Sequence, residues 1–400
     1  MDVLIERCQK EGALRFTPDS AQALRGTDVV FLCVGVPPLA NGDSDLSALE
    51  SAARQIAHVR NAPRFIVQRS TAPVGTGAQL ERVLSAYGRC CDSSFRVAIN
   101  PQFLREGTAV EEFFHPDRIL LGVHDAYSER LLRELYAPIL EQSFRCPAHS
   151  PSCPVTEPPM LLVTNVHSAE LIKYASNAFL GVKISYANVV ADLCEKLEAN
   201  VQEVTRAMGL DPRIGARFLE AGIGFGGSRL PTDLRAFCHL AERVGVDAGI
   251  LQSAEAVNRA RVSRFFERVR RVLWVIKGKS IGVLGLAHKP GTDDVRGSPA
   301  IELIELLTRE GARVCAYDPQ ASSTALASYP HVLCGSDPYE VAKDADALLI
   351  VTAWEEFVHL DWPRIQKMMA RPFVLDGRNV LSEDYMKSLG FEYHSVGRPD

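Results

Sequence analysis

Asp28–Val36, DVVFLCVGV, is an apolar run without polar alternation. Its length is that of a strand, and its lack of alternation is that of a strand covered on both faces. Working outward, a helical pattern covers Leu46–Val59. It is followed by the strand RFIVQR, a helix after Gly75, the strand FRVAIN ending at Asn100, and the strand RILLGV over Arg118–Val123. Strands separated by helices of about 10–15 residues predict βαβ units and a parallel sheet.

Residues 145–160, RCPAHSPSCPVTEPPM, are rich in proline, serine and cysteine and read as a linker. From His167 to about Ile276 the strand signal vanishes. SAELIKYASNAFLGVKISYANVVADLCEKL is long and helix-periodic, and a further helix covers roughly Leu251–Val272. Alternation resumes at Lys279 with the strand KSIGVLGLA, a helix over Ser298–Glu310, and the strands RVCAYDP, DADALLIVTAW and RPFVLDGRNV. The expected domains are 1–155, 156–276 and 277–400, two α/β lobes around a helical centre with a ligand crevice where the lobes face each other.

The chain has 400 residues, 46% hydrophobic and 23% charged, which excludes wholesale disorder. A net charge of −5 makes no case for nucleic acid or an anionic membrane. No apolar run reaches the ~20 residues of a membrane span, and the N-terminus lacks the pattern of a secretory signal. The ten cysteines are scattered without a CxxC pair. They predict a reduced, cytoplasmic protein with several cysteines packed in cores, and no metal site is expected.

Several clusters could carry chemistry. Gly222–Asp233, GIGFGGSRLPTD, places four glycines ahead of a helix, which lets backbone approach a ligand closely. Thr71 follows a strand and opens a helix, where a hydroxyl most often serves as a cap. Glu106 lies in NPQFLREG at the carboxyl end of another strand. Glu170, Lys173 and Asn177 share one helix face, which elsewhere is usually a solvated stripe. His288-Lys289 and Arg296 lie between a strand and a helix, and Arg378 follows the final strand; such cations suit a phosphate. The glycines Gly282 and Gly285 have the wrong spacing for a pyrophosphate turn and read as a tight strand-to-loop turn at least as well.

In order, DVVFLCVGVP, STAPVGT, NPQFLREGTA, HPDRIL, SAELIKYASNAFLGVKIS, PRIGARFLEAGIGFGGS, GLAHKPGTDDVRGSP and VLDGRNV resemble the UDP-glucose/GDP-mannose dehydrogenase family over essentially the whole chain. The spacing around GIGFGGS is most similar to UDP-glucose 6-dehydrogenases. The resemblance implies two Rossmann-like lobes, the first incomplete at its N-terminus, joined by a central helical dimerisation region. It also implies NAD as cofactor, a UDP-sugar as substrate and a homodimer, with neither nucleic acid nor membrane as partner. Family members oxidise the sugar's primary alcohol to a carboxylate in two hydride transfers, through a cysteine-bound thiohemiacetal and thioester.

Carried over, Thr71 and Glu106 match positions that orient water and cofactor. Lys173 and Asn177 match the pair that stabilises the oxyanion, and Asp233 matches a base. Phe103, Leu104, Phe225, Gly226, Lys289 and Arg378 match substrate contacts, Arg296 a cofactor-phosphate contact, and Arg213 a residue reaching the neighbouring subunit's sugar site. Three departures stand out. Arg229 occupies the place of the nucleophilic cysteine and Thr232 that of a lysine. Val36 stands where threonine is usual. No G-x-G-x-x-G precedes the first strand. A guanidinium cannot act as the nucleophile at neutral pH, so a dehydrogenase with impaired turnover and a non-catalytic relative that binds a nucleotide sugar or partners an active subunit both remain open. Cys238 is expected to be packed in the following helix.

Overall fold

The computed structural model describes residues 2–39, 43–59, 65–88, 95–149, 153–155 and 157–399. Cys90 and Cys91, and part of the linker expected at 145–160, lie outside the described residues. The chain separates into two compact units, Met1–Ser176 and Asn177–Asp400, divided within the helix Val166–Leu197.

The first unit is built on a sheet of β1 (Val29–Leu32), β2 (Phe65–Gln68), β3 (Arg96–Ile99), β4 (Arg118–Gly122) and β5 (Met160–Thr164), in that spatial order. Its pairs are parallel except β3 with β4. Both faces are covered. Leu49 and Leu84, from the helices Ser47–His58 and Thr76–Tyr87, pack with Ile66 and Leu120 on one side. Leu132, Tyr136 and Ile139, from the helix Ala126–Leu140, pack with Val67 and Leu121 on the other. This two-sided burial explains why these strands lack polar alternation.

Two expectations are corrected here. The run Asp28–Val36 contributes only four residues of strand, because after Leu32 the backbone leaves the sheet toward Gly35 and Pro37. The proline- and serine-rich linker ends directly in a strand, β5, which has one half-exposed face and so lacks the continuous apolar signature of the others.

The second unit combines helices with a parallel sheet. The rest of Val166–Leu197 is joined by the helices Val201–Gly209, Leu230–Arg243 and Gly249–Leu273. The sheet comprises β6 (Ser280–Leu284), β7 (Arg313–Tyr317), β8 (Leu333–Cys334), β9 (Ala347–Ile350), β10 (Phe373–Asp376) and β11 (Glu392–Ser395). Its order, β11-β10-β9-β6-β7-β8, reverses between β6 and β9. That is the doubly wound Rossmann order, and ligands bind such sheets at the carboxyl ends of the strands flanking the reversal. Phe265, Phe266, Val269 and Leu273 bury one face of the helix Gly249–Leu273 in the core shared with this sheet. Two arginines of the same helix are buried as well. Arg261 bonds Asp192 and donates from Nε to the Gly222 carbonyl at 3.0 Å; Arg268 bonds Glu195 at 2.8 Å and the Ser395 carbonyl at 2.6 Å.

Candidate nucleotide-sugar site

In the second unit the glycine loop is held rigidly. The Gly222 amide donates to Asn188 Oδ1 at 2.9 Å, and Asn258 brackets Phe225, accepting from its amide at 2.8 Å and donating to its carbonyl at 2.9 Å. A Cβ on Gly226 would lie 2.0 Å from the Gly297 carbonyl oxygen, so only glycine fits. Gly227, at φ +85°, lies against His288, and its amide donates to the Arg296 carbonyl at 3.1 Å. The loop therefore rests on the segment after β6 that carries His288, Lys289 and Arg296.

Arg378 joins the same neighbourhood. Its Nε donates to the Val351 carbonyl at 2.6 Å and its Nη1 to the Gly224 carbonyl at 2.8 Å. Desolvation pulls the guanidinium down to about 10, against the attraction of Asp376, so it stays charged at neutral pH. Asp376, fully buried at the end of β10, shapes the turn that presents it. That carboxylate accepts from the amides of Arg378, Val380 and Leu381 and from the Tyr393 hydroxyl at 2.9 Å. Burial raises the Asp376 pKa even against these donors. Lys289 is half-buried just after β6. Arg296 is exposed and clasps Asp294 through Nε and Nη2, both at 2.8 Å. Burial works against the Asp294 charge, but Arg296 holds the carboxyl below its usual range.

The turn after β6 is a tight turn, the plainer of its two readings. Gly285 has φ +100°, and a Cβ there would meet Thr352 at 2.4 Å. The Leu286 and Ala287 amides, which a pyrophosphate turn would offer to a ligand, both donate to Asp318.

The helix after the glycine loop, Leu230–Arg243, begins with Arg229 at its N-cap. One turn in, the buried Asp233 accepts from Asn177 Nδ2. Cys238 is buried in this helix, as expected, and burial raises its thiol pKa; the same holds for Cys194, Cys315 and Cys334. Among the described residues of this unit, no cysteine is poised as a thiolate. Arg213 is exposed and pairs with Asp211 at 2.6 Å, which raises its pKa. The Lys183 ammonium steadies the loop behind it through the Ile214, Gly215 and Arg217 carbonyls.

The first unit positions the remaining residues. Glu170 and Lys173 are 2% and 5% exposed, and Asn177, further along the helix, is 8% exposed, so the polar face is not a solvated stripe. Glu170 caps the helix Thr76–Tyr87, accepting from the Gly75 and Gly77 amides at 2.7 and 2.8 Å. Burial raises its pKa despite these bonds. An internal carboxylate thus occupies that helix start, leaving it no anion to bind.

The Phe103 ring has two cations over it, Arg118 Cζ at 4.0 Å and Lys173 Nζ at 5.0 Å from its centroid. Leu104 and Glu106 are half-buried in the same segment. Asn100 anchors its start, donating to the Leu120 carbonyl at 2.9 Å and accepting from the Tyr136 hydroxyl at 2.6 Å. Thr71 follows β2, and its buried Oγ1 has no partner among the described residues. Such an orphan hydroxyl fits a polar group of a ligand. Residues 1–176 contain no G-x-G-x-x-G, so no residue here is assigned to a dinucleotide's pyrophosphate.

The sequence alone did not mark Asn188, Asn258, Arg261, Asp318 or Asp376 as supports of the site. Only Asp376 carried a signal, sitting in the Asp-Gly-Arg after the last core strand. Elsewhere in the first unit, His115, Cys146, His149 and Cys153 come together. Burial raises the Cys146 thiol pKa, but bonds from His115 and His149 outweigh it and bring the thiol to about 6. Among the described residues, no helix is long and apolar enough to cross a membrane.

Three family models match most of the chain. Residues 1–140 match the NAD binding domain of the UDP-glucose/GDP-mannose dehydrogenase family, 167–260 its central domain and 282–383 its UDP binding domain. A UDP-glucose 6-dehydrogenase of Rhizobium meliloti is 41% identical, over 100% of this chain and 89% of its own length. TuaD of Bacillus subtilis, another UDP-glucose 6-dehydrogenase, is 37% identical, over 99% and 82%. The solved UDP-glucose dehydrogenase of Pyrobaculum islandicum is 35% identical, superimposes with a TM-score of 0.85, and is matched over 99% of this chain and 85% of its own. NAD is the dinucleotide of this family. The retained glycine loop, the buried Lys173 and Asn177, and these full-length matches lead to one conclusion: the chain belongs to the UDP-glucose/GDP-mannose dehydrogenase family.

Proposed function

We propose that this protein binds a UDP-sugar of the UDP-glucose class in its second unit and is blocked in the covalent two-step oxidation of that sugar. The observation that carries this reading is Arg229. It stands at the N-cap of the helix that also carries the buried Asp233, and by the family resemblance that is the position of the nucleophilic cysteine. A guanidinium cannot add to an aldehyde as a thiolate does, and the nearby Cys238 is buried with a raised pKa. Binding depends on other residues: the constrained glycine loop, Arg378 and Lys289.

NAD, when bound, accepts the hydride from the sugar's terminal carbon. The residues present fit part of that cofactor, since Thr71 offers an unpartnered hydroxyl. In this reading Asn177 stabilises negative charge on the sugar's terminal oxygen, and Asp233 holds the Asn177 amide in place. Phe225 lines the sugar, and Arg296 approaches a cofactor phosphate.

The helical centre is read as a homodimer interface. Phe179, Tyr186 and Leu193, seven residues apart on one helix, are 63%, 55% and 54% exposed, with Val189 and Leu197 beside them. Such a stripe favours burial against a second copy, from which Arg213 would reach the neighbouring sugar site. The domain division 1–155, 156–276 and 277–400 and a cytoplasmic location belong to the same reading; the free thiols among the described cysteines suit a reducing compartment.

The test is calorimetry with UDP-glucose combined with product analysis in the presence of NAD. Binding without UDP-glucuronate supports the proposal, and absence of binding refutes it.

A further inference from the structure

We propose that His115, Cys146, His149 and Cys153 form a closed, four-ligand zinc site in the first unit. His115 is the C-cap of the helix Ala109–Phe114. The other three follow the helix Ala126–Leu140 in the spacing Cys-x2-His-x3-Cys. That spacing falls outside the CxxC pattern, which is why the sequence suggested no metal.

The case rests on how the four ligand atoms face one another. His115 Nε2 lies 3.1 Å from Cys146 Sγ and 3.2 Å from Cys153 Sγ. His149 Nδ1 lies 3.3 Å from the same two sulfurs. Every nitrogen thus faces both sulfurs, as in a four-coordinate N2S2 site, and all four atoms lie within 4.8 Å of one another. Zinc with Zn–S of about 2.3 Å and Zn–N of about 2.0–2.1 Å has nitrogen–sulfur edges at ~3.6 Å, within about 0.5 Å of those seen.

Hydrogen bonding alone serves this arrangement poorly. Each ring nitrogen faces two sulfurs but offers either one proton or one lone pair, so at most one of its two contacts is a hydrogen bond. One cation satisfies all four atoms at once. The surroundings agree: Glu111 Oε1 lies 3.5 Å from His149 Nε2, on the ring nitrogen turned away from the sulfurs. A carboxylate in that place orients a metal-binding imidazole and raises its basicity. His115 is further fixed against Phe144 and His149, with ring centroids at 5.7 and 5.5 Å.

Two thiolates and two imidazoles select zinc over magnesium or calcium, and four protein ligands leave no open position for catalysis. The site is structural. It ties Cys146, His149 and Cys153 to the end of the helix that follows Phe103 and Glu106, and so steadies the candidate-site segment from outside it.

The experiment uses the full chain, purified under reducing conditions. Metal content is measured by mass spectrometry of the elements, and the metal-free protein is titrated with Co2+. One zinc per chain is expected, together with the visible absorption and thiolate charge-transfer band of tetrahedral cobalt, saturating at one equivalent. Chelation should lower the unfolding temperature of the first unit. Cys146→Ser, Cys153→Ser and His149→Gln should each lose the cobalt spectrum while retaining far-UV circular dichroism and UDP binding. Cys334→Ser, in the other unit, should keep it. Protein without metal and without a cobalt spectrum would overturn the proposal. So would a spectrum unchanged in the Cys146→Ser/Cys153→Ser double variant, or a Cys146–Cys153 disulfide persisting under reducing conditions.

Discussion

Arg229 and Asp233 are joined by the first turn of one helix: the Asp233 amide donates to the Arg229 carbonyl at 2.7 Å. The backbone at the family's nucleophile position is thus continuous with the buried carboxylate bonded to Asn177. In the proposed function Asn177 and Asp233 are kept, while a guanidinium stands where the covalent bond would form. On that reading binding and turnover are separable, and they should respond to different substitutions.

Arg378→Ala should weaken UDP and UDP-glucose binding about tenfold or more, since a charge-assisted contact contributes roughly 1.5–3 kcal/mol. Titration calorimetry reads the effect directly. The same side chain braces the Val351 and Gly224 carbonyls, so the unfolding temperature should fall slightly as well. An unchanged affinity would remove Arg378 from the site.

Gly226→Ala should abolish UDP-sugar binding and destabilise the second unit. Its Cβ would sit 2.0 Å from a backbone oxygen that cannot rotate away, and overpacking of this kind costs about 1–3 kcal/mol or more. Thermal unfolding and calorimetry on the same sample check both parts.

Glu170→Gln should flatten the dependence of stability on pH just above the ordinary glutamate range. Burial raises the native pKa of Glu170. In that window the folded chain holds a proton that the unfolded chain has lost, so stability is greatest below the unfolded value and falls as pH rises through the folded one. Glutamine removes that slope and gives up one of the two glycine-amide bonds. Chemical denaturation across this pH range gives the comparison.

Charge placed on the exposed stripe, as in Phe179→Asp with Leu193→Asp, should convert a dimer to a monomer in sedimentation velocity without loss of helix content. A wild-type monomer at micromolar concentration would contradict the dimer.

Much of the fold was legible because burial on both faces writes itself into strands such as β2, β9 and β10 as apolar runs, broken only by the closing Gln68 of β2 and Asp376 of β10. β5 and β11 were not legible, because each has a partly exposed face. The strand order of the second unit, with its reversal between β6 and β9, follows from tertiary pairing that no local pattern records. Motif order pointed to Lys173, Asn177, Asp233 and Arg378 as candidates, but the polar face of the long helix gave no sign of its burial. Asn258 and Arg261 were hidden for a related reason: on an amphipathic helix rich in arginine, a buried bridge and a solvated charge look alike.

In the proposed function Arg229 closes the covalent route while substrate binding persists. This is tested most directly by UDP-glucuronate formation from UDP-glucose and NAD, followed by NADH absorbance and product analysis, in the wild type and in Arg229→Cys. The wild type should bind UDP-glucose yet form no UDP-glucuronate. Arg229→Cys should form it detectably but below full rate, because Thr232 still replaces a lysine. Sustained UDP-glucuronate formation by the wild type would contradict the account.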